Sequence, residues 1–170
     1  FSLDEESSRR RGLKPDYVVR IGFGEVEPED VQMLKDTLDL SPIAADAAYF
    51  LQAHFGHKQW LQKFLSLSGR EEIRALADEV GVNQGALLSL QNRLSRLGRF
   101  GFMEEGSSHN SVSQILNYLD RGIHVVLEFG RYGSALSAYI LVANLLTRRI
   151  HERYVRLKEK ASGERSDEPR

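Results

Sequence analysis

Ile123-His124-Val125-Val126-Leu127-Glu128-Phe129 is a nearly continuous apolar run rich in β-branched residues, closed by Gly130 and Gly133. Such a run suits a strand buried on both faces, as in a parallel sheet. His124, inside it, is expected to be a hydrogen-bonded core histidine. Ser134 then opens a helix expected over residues 134–160. Its first half, Leu136 to Leu146, is apolar nearly all round, and its second half, Arg148 to Lys160, is amphipathic and basic. A strand feeding directly into a covered helix is half of a βαβ unit. On the upstream side, Ser111 and Gln114 match a capping box and open a helix over 111–121 that stops at Gly122.

The preceding hundred residues read mostly as helix. Asp16 to Ile21 forms a short strand over 17–21, ended by Gly22 and Gly24, and it is expected to lie beside 123–129 in parallel. Pro28 opens a helix over 28–39, with Val31, Leu34 and Leu38 on one face. Ser41-Pro42 starts another over 42–65, interrupted near Gly56. Ser68 with Glu71 matches a capping box ahead of a helix over 70–81, and Asn83 begins one over 83–97. The fold class is therefore α/β and mainly helical. The stretch from Leu3 to Pro15, crowded with charge, reads as a mobile connection, and residues 161–170 read as a polar tail.

Composition narrows the function classes. With 170 residues, 41% apolar and 28% charged, the chain can build one ordinary core. The absence of cysteine removes disulfides, thiolate chemistry and cysteine-rich metal sites. No apolar run approaches the roughly 20 residues a bilayer span needs, so no membrane partner and a cytoplasmic location are expected. The chain starts at Phe1, and its methionines are Met33 and Met103, which suggests a piece of a longer protein. The net charge of −1 hides a gradient: residues 1–50 carry six basic and eleven acidic side chains, residues 111–170 ten and seven.

The chemistry-bearing motifs are mostly missing. No Gly-x-x-x-x-Gly-Lys-Ser/Thr loop cradles phosphates, no Gly-x-Ser-x-Gly elbow presents a nucleophile, and no catalytic residue is assigned. Glu128 ends an apolar strand as a magnesium-holding acid would, but Phe129 follows where a second acid is needed. His54 and His57 stand three apart without a third ligand, so no metal site is assigned. One stretch does match a binding pattern. Ala77, Gly81, Val82, Leu87 and Leu90 fit a helix-turn-helix over 70–97, whose second helix would offer Gln84, Ser89, Asn92, Arg93 and Arg96. Arg93, Arg96 and Arg99 lie in a span from Asn83 to Met103 without acidic residues, and are the candidate phosphate contacts. Two helices meeting at a glycine also close many all-helical subdomains, and a protein-interaction module on residues 28–65 is a third alternative.

Residues 111–156 resemble the bacterial HerA-type ATPases of the HerA–FtsK superfamily of hexameric DNA translocases. The resemblance is carried by Gln114-Ile-Leu-Asn-Tyr-Leu-Asp-Arg-Gly122, by Val125-Val-Leu-Glu-Phe-Gly130, and by Leu141-Val-Ala-Asn-Leu-Leu-Thr-Arg-Arg-Ile-His-Glu-Arg-Tyr154. A looser likeness runs through Val19-Arg20-Ile21 and Glu27-Pro28-Glu29-Asp30. It implies a RecA-like core segment lying between the Walker A and Walker B elements, with core strand and turn at 16–27, a helical insertion at 28–110 and helix-strand-helix at 111–160. The phosphate loop would precede Phe1 and the acidic pair would follow Arg170. The chain alone would then be inactive, with ATP, magnesium, DNA, ring neighbours and a partner nuclease belonging to the parent protein. Arg148 and Arg149 become candidates to reach a neighbouring subunit's nucleotide, against the plainer reading of cations complementing a helix dipole.

Overall fold

The computed structural model describes residues 1–105 and 111–166, with side chains through Ser162. Ser2 is the hub of the strand layer. Its amide donates to Tyr17 O at 2.9 Å and its carbonyl accepts from Val19 N at 2.8 Å, while on the other side Leu3 N donates to Glu128 O at 2.9 Å and Glu128 N to Phe1 O at 3.0 Å. Both bridges are parallel. The 17–19 segment continues into β1 (Ile21–Gly22), which pairs in parallel with β2 (Met103–Glu104). The lateral order is thus 126–128, 1–3, 17–22, 103–104.

Helices make up most of the remainder. They are α1 (Glu5–Arg10), α2 (Pro28–Leu34), α3 (Pro42–Phe55), α4 (Trp60–Ser66), α5 (Arg70–Val80), α6 (Gln84–Leu94), α7 (Ser111–Asp120) and α8 (Leu136–Ser166). Short 3₁₀ turns follow β1, α6 and the 126–128 segment. The helix α3 packs on α2, α4 and α6, while α8 lies along α2. One apolar cluster runs through the whole, from Leu3 and Ile21 to Trp60, Leu90 and Leu141. Trp60 ties the layers together, since its indole N–H donates to Val26 O at 2.9 Å.

Several expectations need correction. The segments 17–21 and 123–129 do not lie side by side, because Phe1–Leu3 intervenes, with the Phe1 ring between Tyr17 and Tyr118. Residues 1–15 are no loose connection. Leu3 is 1% exposed, and α1 forms because Glu5–Arg9 and Glu6–Arg10 pair one turn apart while Asp4 caps the helix. The 123–129 run is not buried on both faces. Among the described residues it is the sheet's outer edge, paired through its 126–128 end, with Val126 80% exposed and His124 exposed as well.

Helix boundaries also move, each for a local reason. The interruption expected near Gly56 in the 42–65 stretch falls at that residue, whose φ of +89° ends α3, so the stretch is two helices. The helix α2 stops at Leu34 and turns to Asp39 at φ +54°. At the start of α5 the cap falls one residue later than expected, with the Glu72 carboxylate taking Ser68 N and Gly69 N. The helix α8 runs on through Ser166, past the expected end at 160; the last four residues of the expected tail lie outside the described residues. Trp60→Phe keeps most of the buried ring but strands the Val26 carbonyl. Urea unfolding is expected to show a loss of about 1–3 kcal/mol with an unchanged m-value.

Candidate functional site

In an open parallel sheet, ligands bind beyond the carboxyl ends of the strands. Here those ends carry Asp4, directly after Leu3, and the Gly130–Ser134 turn after the 126–128 segment. A cleft of about 160 Å³ opens there, lined by Asp4, Glu5, Arg20, Gly101, Arg131 and Tyr132 among others. The Asp4 carboxylate is buried and accepts from Ser7 N at 3.2 Å and Arg131 N at 3.1 Å, with the Arg131 Nε 3.4 Å away. Burial opposes its charge, but those amides and the guanidinium outweigh it and hold its carboxyl below the usual aspartate range. Gly130, at φ +56°, lets the chain pass: a Cβ there would stand 2.6 Å from that of Asp4. Tyr132 closes the far wall by accepting from Gly101 N at 3.0 Å.

The cleft does not fit a magnesium nucleotide. Sites for such ligands occupy about 300–1,000 Å³, and the Asp4 oxygens are already engaged. Glu128, the acid singled out in the sequence, accepts from Ser8 Oγ at 2.6 Å and pairs with Arg11, so it serves α1 rather than a ligand. The acidic pair that does stand at a strand end is Asp4-Glu5, which no sequence pattern marks. Three residues, Phe1-Ser2-Leu3, are too few to show strand alternation, and the charge run after them masks the signal.

A second polar constellation joins α8 to α2. Asp30, fully buried, accepts from Asn144 Nδ2 at 2.6 Å, from Arg148 Nη2 at 2.7 Å and from Glu27 N at 2.9 Å. Arg148 also pairs with Glu27 and reaches the Glu25 carbonyl, while Arg149 lies 3.7 Å from Glu27 and 3.4 Å from Glu152. Burial pushes the Asp30 carboxyl above its usual range despite these partners, and does the same to Glu25 beside it. Arg148 is thus enclosed within its own chain, an arrangement that serves packing; Arg149 sits at the rim.

The helix-turn-helix candidate forms as two helices about Gly81 at φ +70°, with Leu87, Leu90 and Leu94 of α6 buried. Its polar face is partly spent. Arg93 Nη2 donates to Asp39 at 2.9 Å, Gln91 holds the Phe64 and Leu67 carbonyls, and Ser89 is half-buried. Asn92, Arg96 and Arg99 remain exposed. His54 and His57 diverge, approaching Glu79 at 3.7 Å and Glu27 at 3.6 Å respectively. No helix among the described residues is long and apolar enough to cross a membrane.

No family model matches the chain, and neither a curated protein nor a solved structure matches it.

Arg148→Ala leaves Asp30 buried without its cation and is expected to cost about 3–5 kcal/mol at neutral pH. Asp30 titrates higher in the folded chain than in the unfolded one, so the native state gains a proton first on acidification. The Arg148→Ala deficit should therefore shrink as pH falls toward the ordinary aspartate range. Asp4→Ala should cost about 1 kcal/mol as a lost cap, and this deficit also shrinks on acidification, at lower pH than the first. The folded Asp4 titrates low, so its contribution is present above the unfolded value and is lost as pH falls through the folded one. Urea titrations across pH read both.

Proposed function

We propose that this chain is an internal portion of an ATP-driven DNA translocase of the HerA–FtsK type, a RecA-like core segment carrying the helical subdomain of residues 28–110. The observation that supports this most is topological. Segments drawn from positions 1–3, 17–22, 103–104 and 126–128 run parallel, with helices in the connections. Parallel sheets are ordinarily covered on both faces. An outer strand as apolar as Val125-Val126-Leu127, with Val126 open to solvent, fits a sheet that further strands of the parent protein continue. The resemblance of residues 111–156 supplies the family.

On this reading the chain contributes scaffold rather than chemistry. ATP, magnesium, ring neighbours and any nuclease belong to the parent protein, in the cytoplasm. The arginines of the cleft at Asp4 are engaged by carboxylates, Arg20 by Glu104 and Arg131 by Asp4, which leaves little to offset the desolvation of a triphosphate. Of the three candidate arginines Arg93, Arg96 and Arg99, the last two are open to phosphates, Arg93 being paired with Asp39. Arg149 at the rim of the α2–α8 cluster is the remaining candidate for a contact across subunits.

The test has two readouts. The full gene product that contains this chain should hydrolyse ATP with stimulation by DNA; absence of turnover there overturns the proposal. The 170-residue chain itself should release phosphate only at background. It should bind duplex with a Kd of about 10⁻⁴ to 10⁻⁶ M that weakens steeply with salt. Arg96→Ala with Arg99→Ala should abolish that binding, and Asn92→Ala with Arg93→Ala should leave it nearly intact. Salt-resistant, sequence-selective binding lost in the second pair would transfer the case to the helix-turn-helix.

A further inference from the structure

Two oppositely charged surfaces of the chain are exposed. The first is the far end of α8, beginning at Arg153, which pairs with Asp120. From Arg153 to Ser162 every residue is exposed, about 15 Å of helix at 1.5 Å per residue. Along it Tyr154, Leu157 and Ala161 recur at spacings of three and four, the seam by which one helix packs on another. Leu157 is 41% exposed, and Arg156 and Lys158 stand beside the seam.

The second surface is the outer face of α2 and α3. Met33 is 58% exposed and Phe50 53%, and Tyr49, Glu29 and Asp46 on the same two helices are exposed as well, with Asp36 in the turn after α2. The two helices form one continuous patch, because Tyr49 hydrogen-bonds Glu29 and Gln32 donates to Asp46 at 2.8 Å.

We propose that the basic end of α8 in one copy docks on the acidic, apolar-studded α2–α3 face of a second copy. Three observations select a second copy as the occupant. Charge is complementary between the surfaces, as it is between the acidic first fifty residues and the basic last sixty, while a net charge of −1 leaves copies with little overall repulsion. The helix end cannot fold back onto its own patch. The helix α8 is continuous from Leu136 to Ser166, and Arg148 fixes it to Glu27 and Asp30, away from the α2 face that bears Glu29 and Met33. Pairing two α8 ends with each other would oppose Arg156 and Lys158 to like charges. The exposed length also suits the site, since α3 offers 14 residues, about 21 Å. This inference does not depend on the translocase reading.

Sedimentation velocity over a concentration series, at low and high salt, tests it. The wild-type chain should self-associate at low salt and dissociate at high salt. Arg156→Glu with Lys158→Glu should weaken association about tenfold or more, as should Glu29→Lys with Asp46→Lys. All four positions are exposed, and unchanged far-ultraviolet circular dichroism and melting confirm folding. Leu157→Ser, which changes no charge, should weaken association too. Mixing the two charge-reversed proteins should restore it, since each then presents the complement of the other. A wild type that stays monomeric throughout overturns the proposal. So does association that survives both reversals, or a mixture that fails to recover. Loss of duplex binding on reversing Arg156 and Lys158, in a chain that does not self-associate, would assign the helix end to nucleic acid instead.

Discussion

The contact on which the rest of the structure depends is the buried carboxylate of Asp30, held by Asn144 and Arg148 from α8 and by the amide of Glu27. Asp30 and Asn144 lie more than a hundred residues apart, and their bond joins the helical subdomain to the long helix that follows the strand layer. Burying a charge is costly unless it is paired and its remaining lone pairs are satisfied. Here one oxygen takes the amide of Asn144 and the other takes a guanidinium and a backbone N–H. That demand fixes where α8 crosses α2, and with it how far the basic end projects beyond the body.

The strand layer depends on a smaller constraint. Ser2 bonds the 17–19 segment through its backbone while Phe1 O and Leu3 N bond Glu128 on the other side, so a three-residue segment holds 17–19 and 126–128 in register. The side chains agree with that placement. Ser2 Oγ bonds Ser8 Oγ at 2.8 Å, Leu3 enters the core, and Asp4 turns at once to cap α1 and hold the Gly130–Arg131 turn. The carboxyl edge of the sheet is thereby closed by protein groups, which leaves it a small cleft rather than a ligand cavity. What the fold leaves open lies at the surface: the edge at Val126, the exposed Arg96 and Arg99 after α6, and the charged faces of α8 and of α2 with α3.

Local pattern carried most of the helices. Apolar spacing, proline at the first helical turn and glycine at the ends located the starts of α2, α3 and α5 through α8 to within two residues, while the ends of α2 and α8 lie five and six residues from their expected places. Capping chemistry was harder. Ser68–Glu71 and Gly69–Glu72 are both plausible from spacing, and the carboxylate that reaches the free amides decides. The candidate site was less legible. Glu128 looked like an acid for a ligand because sequence does not show that Ser8 and Arg11 arrive beside it. Asp4 looked like part of a charge run because its burial comes from partners 127 residues away.

What the sequence by itself determined is what depends on neighbours a few residues apart: a mainly helical α/β chain, its glycine breaks, its charge gradient, and the absence of a phosphate-cradling loop. Tertiary structure alone decided which strands are neighbours, that Phe1–Leu3 lies between the other two, and that the most apolar strand is an edge. It also decided that Arg148 is enclosed within its own chain while Arg96 and Arg99 stay open. The reason is physical. Periodicity reports that a segment has an apolar face, but the partner covering that face is chosen by the packing and by where buried polar groups must be satisfied.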